Sequence, residues 1–336
     1  EMKPLREVFK NAKKAYVYRL GGGTKAANDY AEAMYPGTRG NDISVRIEAG
    51  QSDYTVSVLL GAAVVDRQTV TAASGLKDNA FVKWKSGVSL AAGTTALTGG
   101  TDTAATEDNY REFLDKSEEF SFNIMACPSA ESGIKSLFAA HTKNMRDNCG
   151  VKFQTVMYNA EENYEGVINV ASTVKDSGAD AFSLVYWTAG AEAGCGINRS
   201  ITNKAYDGEF EVNTAYKQSD LENGIKAGKL IFHRVGDSVR VLSDINSLTG
   251  FTQDKGKDFA SNQVIRVLDQ TGNDIAVLFN TKYLGRVQNN NGGRISFWND
   301  IVTYNRKLEE LMAIENFDSR DVEVMAGEDK TSVVIS

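Results

Sequence analysis

The sequence predicts an α/β fold that carries a separate all-β module, and three observations predict it. From Ile43 to Val70 apolar and polar residues alternate, the period of strands with one buried face. From Glu107 onward helical and strand-like patterns take turns, the order of a largely parallel sheet covered by helices. Between them in importance stands Ala179–Asp207, a lean helix followed by a polar loop, around which the second part of the chain is organised.

Taken in order, Leu5, Val8, Phe9 and Ala12 form a short amphipathic helix, and Ala15–Leu20 alternates like a strand. Residues 1–20 thus read as a piece of the α/β core, and their abrupt start predicts that the chain is part of something longer. Gly21-Gly22-Gly23-Thr24-Lys25 invites comparison with a phosphate loop, but it has neither the G-x-x-x-x-G-K-[ST] nor the G-x-G-x-x-G spacing. It reads as a flexible exit from the strand into the next domain.

That domain, residues 21–105, is expected to be a small β-sandwich. Tyr35–Asp42 is a turn cluster; Ile43, Val45 and Ile47 then alternate, as do Tyr54, Val56, Val58 and Leu60 after the break at Ala49–Asp53. Val64–Val70 and Phe81–Trp84 supply further strands, and Ser86–Ala105, rich in Gly, Thr and Ala, is expected to be loop.

Residues 106–229 follow as the α/β domain. Tyr110–Glu119 is helical, Phe120–Cys127 a strand, and Ile134, Leu137, Phe138, His141 and Met145 line one face of the next helix. Val151–Met157 and Gly166–Ala171 continue the alternation. Phe182, Val185, Tyr186, Ala189 and Ala193 then recur at helical spacing. Ala189, Gly190, Ala191, Ala193 and Gly194 strip the last turns of side chain, at about 1 kcal/mol of helix propensity per interior glycine. Another backbone is expected to pack closely there. Asn198–Lys204 has turn and capping residues without a paired acid and base, so it reads as a structured loop.

In residues 230–336, Leu230–Arg234 pairs with Val239–Leu242 across Gly236-Asp237, a two-residue hairpin signal. Ser261–Tyr283 is a long helix with Gly272 as a soft point, and Phe297–Ala313 is a second, burying Ile301, Tyr304, Leu308 and Leu311. Asp321–Met325 and Lys330–Ser336 close the chain as two strands.

Composition narrows the function. A net charge of -7 lacks the clustered Lys and Arg that a phosphate backbone needs, so no nucleic-acid partner is expected. No run approaches the roughly 18 apolar residues of a membrane helix, so no membrane insertion is expected, and no signal peptide is visible. Cys127, Cys149 and Cys195 are odd in number and far apart, which fits free thiols. With only His141 and His233 beside them and no C-x-x-C, no metal site is expected. His141 on its apolar stripe and His233 in its hairpin read as structural. No G-x-S-x-G elbow appears, so no catalytic residue and no cofactor is assigned.

The AGxxAG-like helix at Ala189–Gly194 and the N-x-S-x-T-N-K loop at Asn198–Lys204 resemble contractile tail sheath proteins of phages and of phage-derived bacteriocins from Gram-positive bacteria. YPGTRGND, VDRQTV and LTGGTD in the β-module resemble the same family, as do RVLDQTGNDI, KYLGRVQNNNGGR and IENFDSRDVEV near the end. The ordered series covers essentially the whole chain.

The resemblance implies an α/β subtilisin-like domain with an inserted outer β-sandwich domain and an α+β C-terminal sheath domain facing an inner tube. It implies a helical homo-oligomer around an inner tail tube protein, with baseplate and tail terminator proteins as further partners. It also implies a place in the host cytoplasm during assembly and then in the tail of a phage or bacteriocin particle, and a non-enzymatic role. Family members carry chain before Glu1 and after Ser336 that adds strands to a neighbour's sheet. Leu5, Val8, Ser332, Val333, Val334 and Ile335 are therefore expected as subunit-linking ends, and this length of chain as a monomer or weak oligomer. Arg306 and Lys307 are expected to face the tube. A receptor- or glycan-binding module and an α/β hydrolase are the alternative readings.

Overall fold

The structure, a computed structural model, describes residues 2–336. Two compact bodies make up the chain: residues 17–116 form one, and the residues up to Tyr16 together with Ser117–Ser336 form the other.

The smaller body is built from β1 (Gly22–Thr24), β2 (Ala31–Ala33), β3 (Ile43–Ala49), β4 (Tyr54–Leu60), β5 (Ala63–Val70), β6 (Val82–Trp84), β7 (Gly93–Ala96) and β8 (Thr101–Thr103). β5-β4-β3-β7 is one antiparallel sheet, while β2-β6 and β1-β8 are two-stranded ribbons. The alternation in β3 does what it predicts: Ile43, Val45 and Ile47 are buried with Val56, Val58, Val82 and Leu97. β3 and β4 pair from Ile43↔Leu60 to Ala49↔Tyr54.

Two expectations fail in this body. Ser86–Ala105 is not all loop, since β7 joins the edge of β3 and β8 pairs with β1. Both strands expose every side chain, so they are held by main-chain hydrogen bonds and leave no apolar alternation to see. Gly21–Lys25 is likewise no flexible exit. Gly23 lies so close to β8 that a β-carbon on it would sit 1.8 Å from the Thr101 carbonyl oxygen, and its φ of 141° suits glycine. This body ends in a helix, α2 (Glu107–Ser117), whose Lys116 reaches Glu112 at 2.7 Å and the Tyr18 hydroxyl at 3.1 Å.

The larger body begins with α1 (Lys3–Phe9) and continues through β9 (Ile124–Ala126), α3 (Ser132–Asp147), β10 (Gln154–Tyr158), β11 (Val167–Val170), α4 (Ser183–Ala193), α5 (Gln218–Lys226) and β12 (Lys229–Leu230). Its sheet has the order β12-β11-β10-β9, all parallel. α4 lies against β9, β10 and β11, and α3 also packs on β10. Two-sided cover explains why Val167–Val170 is buried at every position.

β13 (Phe232–Val235) and β14 (Ser238–Val241) make the expected hairpin across Gly236-Asp237. α6 (Asn262–Leu278) runs on into a π-helical turn at Phe279–Tyr283, then α7 (Asn291–Glu310), β15 (Val324–Ala326) and β16 (Val333–Ile335) complete the chain. Gly272 is no break, because α6 passes through it. α7 starts six residues earlier than its apolar pattern, where Asn290 caps it by accepting from the Gly293 amide at 2.9 Å.

The alternating Ala15–Leu20 forms no strand. Tyr16 instead stacks on Phe120 with ring centroids 4.6 Å apart. Phe9, expected on the buried face of α1, is 51% exposed, while Ala12 beyond the helix is buried.

Candidate interaction surfaces

α4 is the centre of the larger body. Leu184, Val185, Trp187, Ala189 and Ala191 are buried in one core with Val156, Ile168, Leu230, Phe232 and Val241. The Trp187 ring sits between Tyr206 and Phe232, at 5.2 and 5.5 Å, and its indole N–H donates to Asp207 at 2.7 Å. The lean end of the helix has its expected backbone partner, which is α1. A β-carbon on Gly190 would fall 2.3 Å from the Val8 carbonyl oxygen, and one on Gly194 would fall 2.2 Å from that of Asn11.

Polar contacts pin α1 further. Glu7 is fully buried and accepts from the Tyr206 hydroxyl at 2.8 Å and the Glu209 amide at 2.5 Å. Burial pushes its carboxyl above the usual carboxylate range. Arg6 makes a two-pronged contact with Glu209, both bonds 2.8 Å, and Lys3 reaches Asp176 at 2.9 Å. Leu5 and Val8 are half-buried on a helix that is fastened down.

On the opposite side of α4 lies a cluster missed in the sequence. Glu192, fully buried, accepts from Arg266 and from the Asn262 amide at 3.1 Å. The same amide donates to Asp244 at 2.8 Å, and Asp244 also accepts from the Ser200 hydroxyl and the Ile201 amide, each at 3.0 Å. Two carboxyl groups thus share one guanidinium. Burial first, and Asp244 second, hold Glu192 well above the usual range. One turn on, Asp269 takes two bonds from the buried Arg146, at 2.5 and 2.8 Å. α6 is therefore seated on polar contacts. The signal was present in the sequence, because Glu192 is the one charged residue of α4. The Asn198–Lys204 loop is structured as expected, with Ser200 and Ile201 held by Asp244.

At the other end, β16 pairs with β15 through Val324↔Ile335, Met325↔Val334 and Ala326↔Val333. The Glu323 and Ser336 main chains bond each other in both directions, and the Gly327 amide donates to the Ser332 carbonyl at 2.9 Å. The antiparallel alternation then turns the N–H and C=O groups of Val333 and Ile335 to the outer edge. Val334 and Ile335 are 47% and 39% exposed, and Ser332 and Val333 half-buried. Arg306 and Lys307 are exposed near the end of α7, away from this hairpin in sequence. Asp300, midway along the same helix, binds Lys282 and the Tyr283 hydroxyl, each at 2.5 Å.

Nucleophile chemistry has little support. Burial pushes the Cys127 thiol up to about 12 and raises Cys195 too. Among the described residues, no group of three or more His, Cys, Asp or Glu converges as metal ligands, and no helix is long and apolar enough to cross a membrane.

Three family models match in series: the phage tail sheath protein beta-sandwich domain over residues 21–102, the central domain over 103–247 and the C-terminal domain over 254–336. The chain belongs to the phage tail sheath protein family. The sheath chain is 34% identical to the phage-like element PBSX protein XkdK of Bacillus subtilis, over 98% of this chain and 80% of that one. It is 33% identical to the sheath tail protein of Desulfitobacterium hafniense, covering 100% of this chain and 86% of that one with a TM-score of 0.89. The helical sheath of the anti-feeding prophage in its contracted state shares the fold alone, at 14% identity and a TM-score of 0.54 over 71% of this chain and 74% of that one. The mixed α/β architecture is thus that of sheath proteins, and the sheath chain is a structural subunit of a contractile tail and not an enzyme.

Proposed function

We propose that this sheath subunit polymerises helically around an inner tail tube and that contraction of the polymer drives the tube through a cell envelope. The observation that carries the reading is the ordered series of three sheath domains matched between residue 21 and residue 336. A protein of the same fold forms a helical sheath that contracts. In this reading the parallel sheet β9–β12 with α3 and α4 belongs to a subtilisin-like domain comprising residues 1–20 and 106–229. Residues 21–105 are the β-sandwich domain, and residues 230–336 the tube-facing domain.

Contraction needs a subunit that moves as a body and surfaces that exchange partners. The open edge of β16 suits main-chain pairing with a strand from a neighbour, since Val333 and Ile335 turn their N–H and C=O groups outward there. Leu5 and Val8 mark the other linking end. Arg306 and Lys307 are the proposed tube contacts, with baseplate and terminator proteins closing the two ends of the polymer, assembled in the host cytoplasm.

Electron microscopy of particles made by the complete gene cluster tests this. Tails with a striated sheath are expected, and tails without one would overturn it. Reversing both charges, Arg306→Glu with Lys307→Glu, is expected to detach sheath from tube; normal extended tails would remove that contact.

A further inference from the structure

α7 has an apolar groove at its beginning and an apolar knob just past its end. The groove encloses about 390 Å³ and is lined by Phe279, Tyr283, Val287, Phe297 and Val333. Arg294 and Lys330 also line it, and exposed Arg286 sits between two lining residues, Gly285 and Val287. From Thr281 to Ile295 the chain has three cations, Lys282, Arg286 and Arg294, and no carboxylate. Lys282 is paired with Asp300, whereas Arg286 and Arg294 have no carboxylate partner among the described residues.

The knob is Leu311–Met312, 52% and 80% exposed. It is held in place: Met312 has φ 57°, and the Asn198 amide donates to the Leu311 carbonyl at 2.9 Å. Arg306 and Lys307 lie a turn earlier, but residues 309–323 around and after the knob carry Glu309, Glu310, Glu315, Asp318, Asp321 and Glu323 against Arg320 alone. Knob and groove are complementary in polarity and in charge. The 20 residues of α7 separate them by about 30 Å, so the knob of one chain cannot fill its own groove.

We propose that Leu311–Met312 of one copy seats in the groove of a second copy, with its acidic surround facing Arg286, Arg294 and Lys330. Such a pairing of unlike patches is head-to-tail, and where its rotation does not close a ring it runs on as an open helix, which is the contact a helical polymer requires. The unbranched Met312 adapts to an irregular groove. The inference rests on the reading of this chain as self-polymerising, and adds to it a contact between folded bodies, with the closing hairpin lining one side of the groove through Lys330 and Val333.

The test uses the full-length protein assembled into sheaths and viewed by electron microscopy. Arg286→Glu with Lys330→Glu, and separately Glu310→Lys with Glu315→Lys, are each expected to cut sheath yield by about tenfold or more, and all four together to restore it. Full yield from both reversed proteins, or no rescue by the fourfold variant, overturns the groove contact while leaving polymerisation standing. No sheath from the unaltered protein overturns both. As a second readout, Val287→Cys with Met312→Cys in a Cys149→Ser background is expected to give a ladder of linked copies on oxidation; single copies only would overturn the contact.

Discussion

The carbonyl oxygen of Val8 occupies the space that a side chain on Gly190 would need, 2.3 Å from where its β-carbon would stand. The two helices meet there with no side chain between them. Gly190→Ala is therefore expected to destabilise the larger body by about 1–3 kcal/mol, although helix propensity alone favours alanine by about 1 kcal/mol. Gly272→Ala, in the middle of α6 where a β-carbon meets nothing, is expected to stabilise by about 0.5–1 kcal/mol. Chemical denaturation of both variants checks the contrast; equal responses would refute the close contact.

Glu192 sets a pH dependence. Its folded-state carboxyl is held above the usual range, so its favourable contribution is complete below the ordinary carboxylate value and is lost as pH rises through the shifted one. Glu192→Gln mimics the protonated form, accepting from Arg266 and donating toward Asp244. Relative to that variant, the unaltered chain is expected to gain thermal stability as pH falls from above neutrality toward the ordinary carboxylate range. Parallel melting curves across that range would show that Glu192 does not titrate there.

The Arg146–Asp269 pair is buried with one charge on each side. Arg146→Met leaves Asp269 uncompensated and is expected to cost about 3–5 kcal/mol, while Arg146→Met with Asp269→Leu recovers most of that loss. A double-mutant cycle measures it. A single variant as stable as the parent would mean that the pair does not hold α6 in solution.

β16 separates folding from assembly. The Ile335 N–H points outward and the Val334 N–H points into the hairpin, so Ile335→Pro is expected to leave the hairpin intact and Val334→Pro to break it. If neighbours add strands to this edge, Ile335→Pro also abolishes sheath formation by the full-length protein. Circular dichroism and electron microscopy together read the two effects, and normal sheaths from Ile335→Pro would argue against strand addition.

Legibility in the sequence followed burial. Ile43, Val45 and Ile47 were readable because one face is in a core, and α6 because apolar residues recur at helical spacing on both sides of its polar middle, at Val264, Ile265 and Leu268 and again at Ile275 and Leu278. The lean end of α4 announced a close partner, although nothing in the sequence said that the partner was α1. β7 and β8 were invisible because Thr94, Thr95, Thr101 and Thr103 expose their side chains and leave no apolar alternation to read. Arg146, Glu192, Asp244 and Arg266 come from four separate segments, and ion pairs at that range have no period to read. A lone acid in the apolar α4 was the one hint.

Between the core around α4 and the core around Phe297 and Ile301, much of the seat of α6 is made of directional bonds. Greasy faces can slide past one another by degrees, whereas a guanidinium and its carboxylate have no halfway register. Under shear such a seam yields in a step and not by degrees, so the two cores it joins are expected to move together until it breaks.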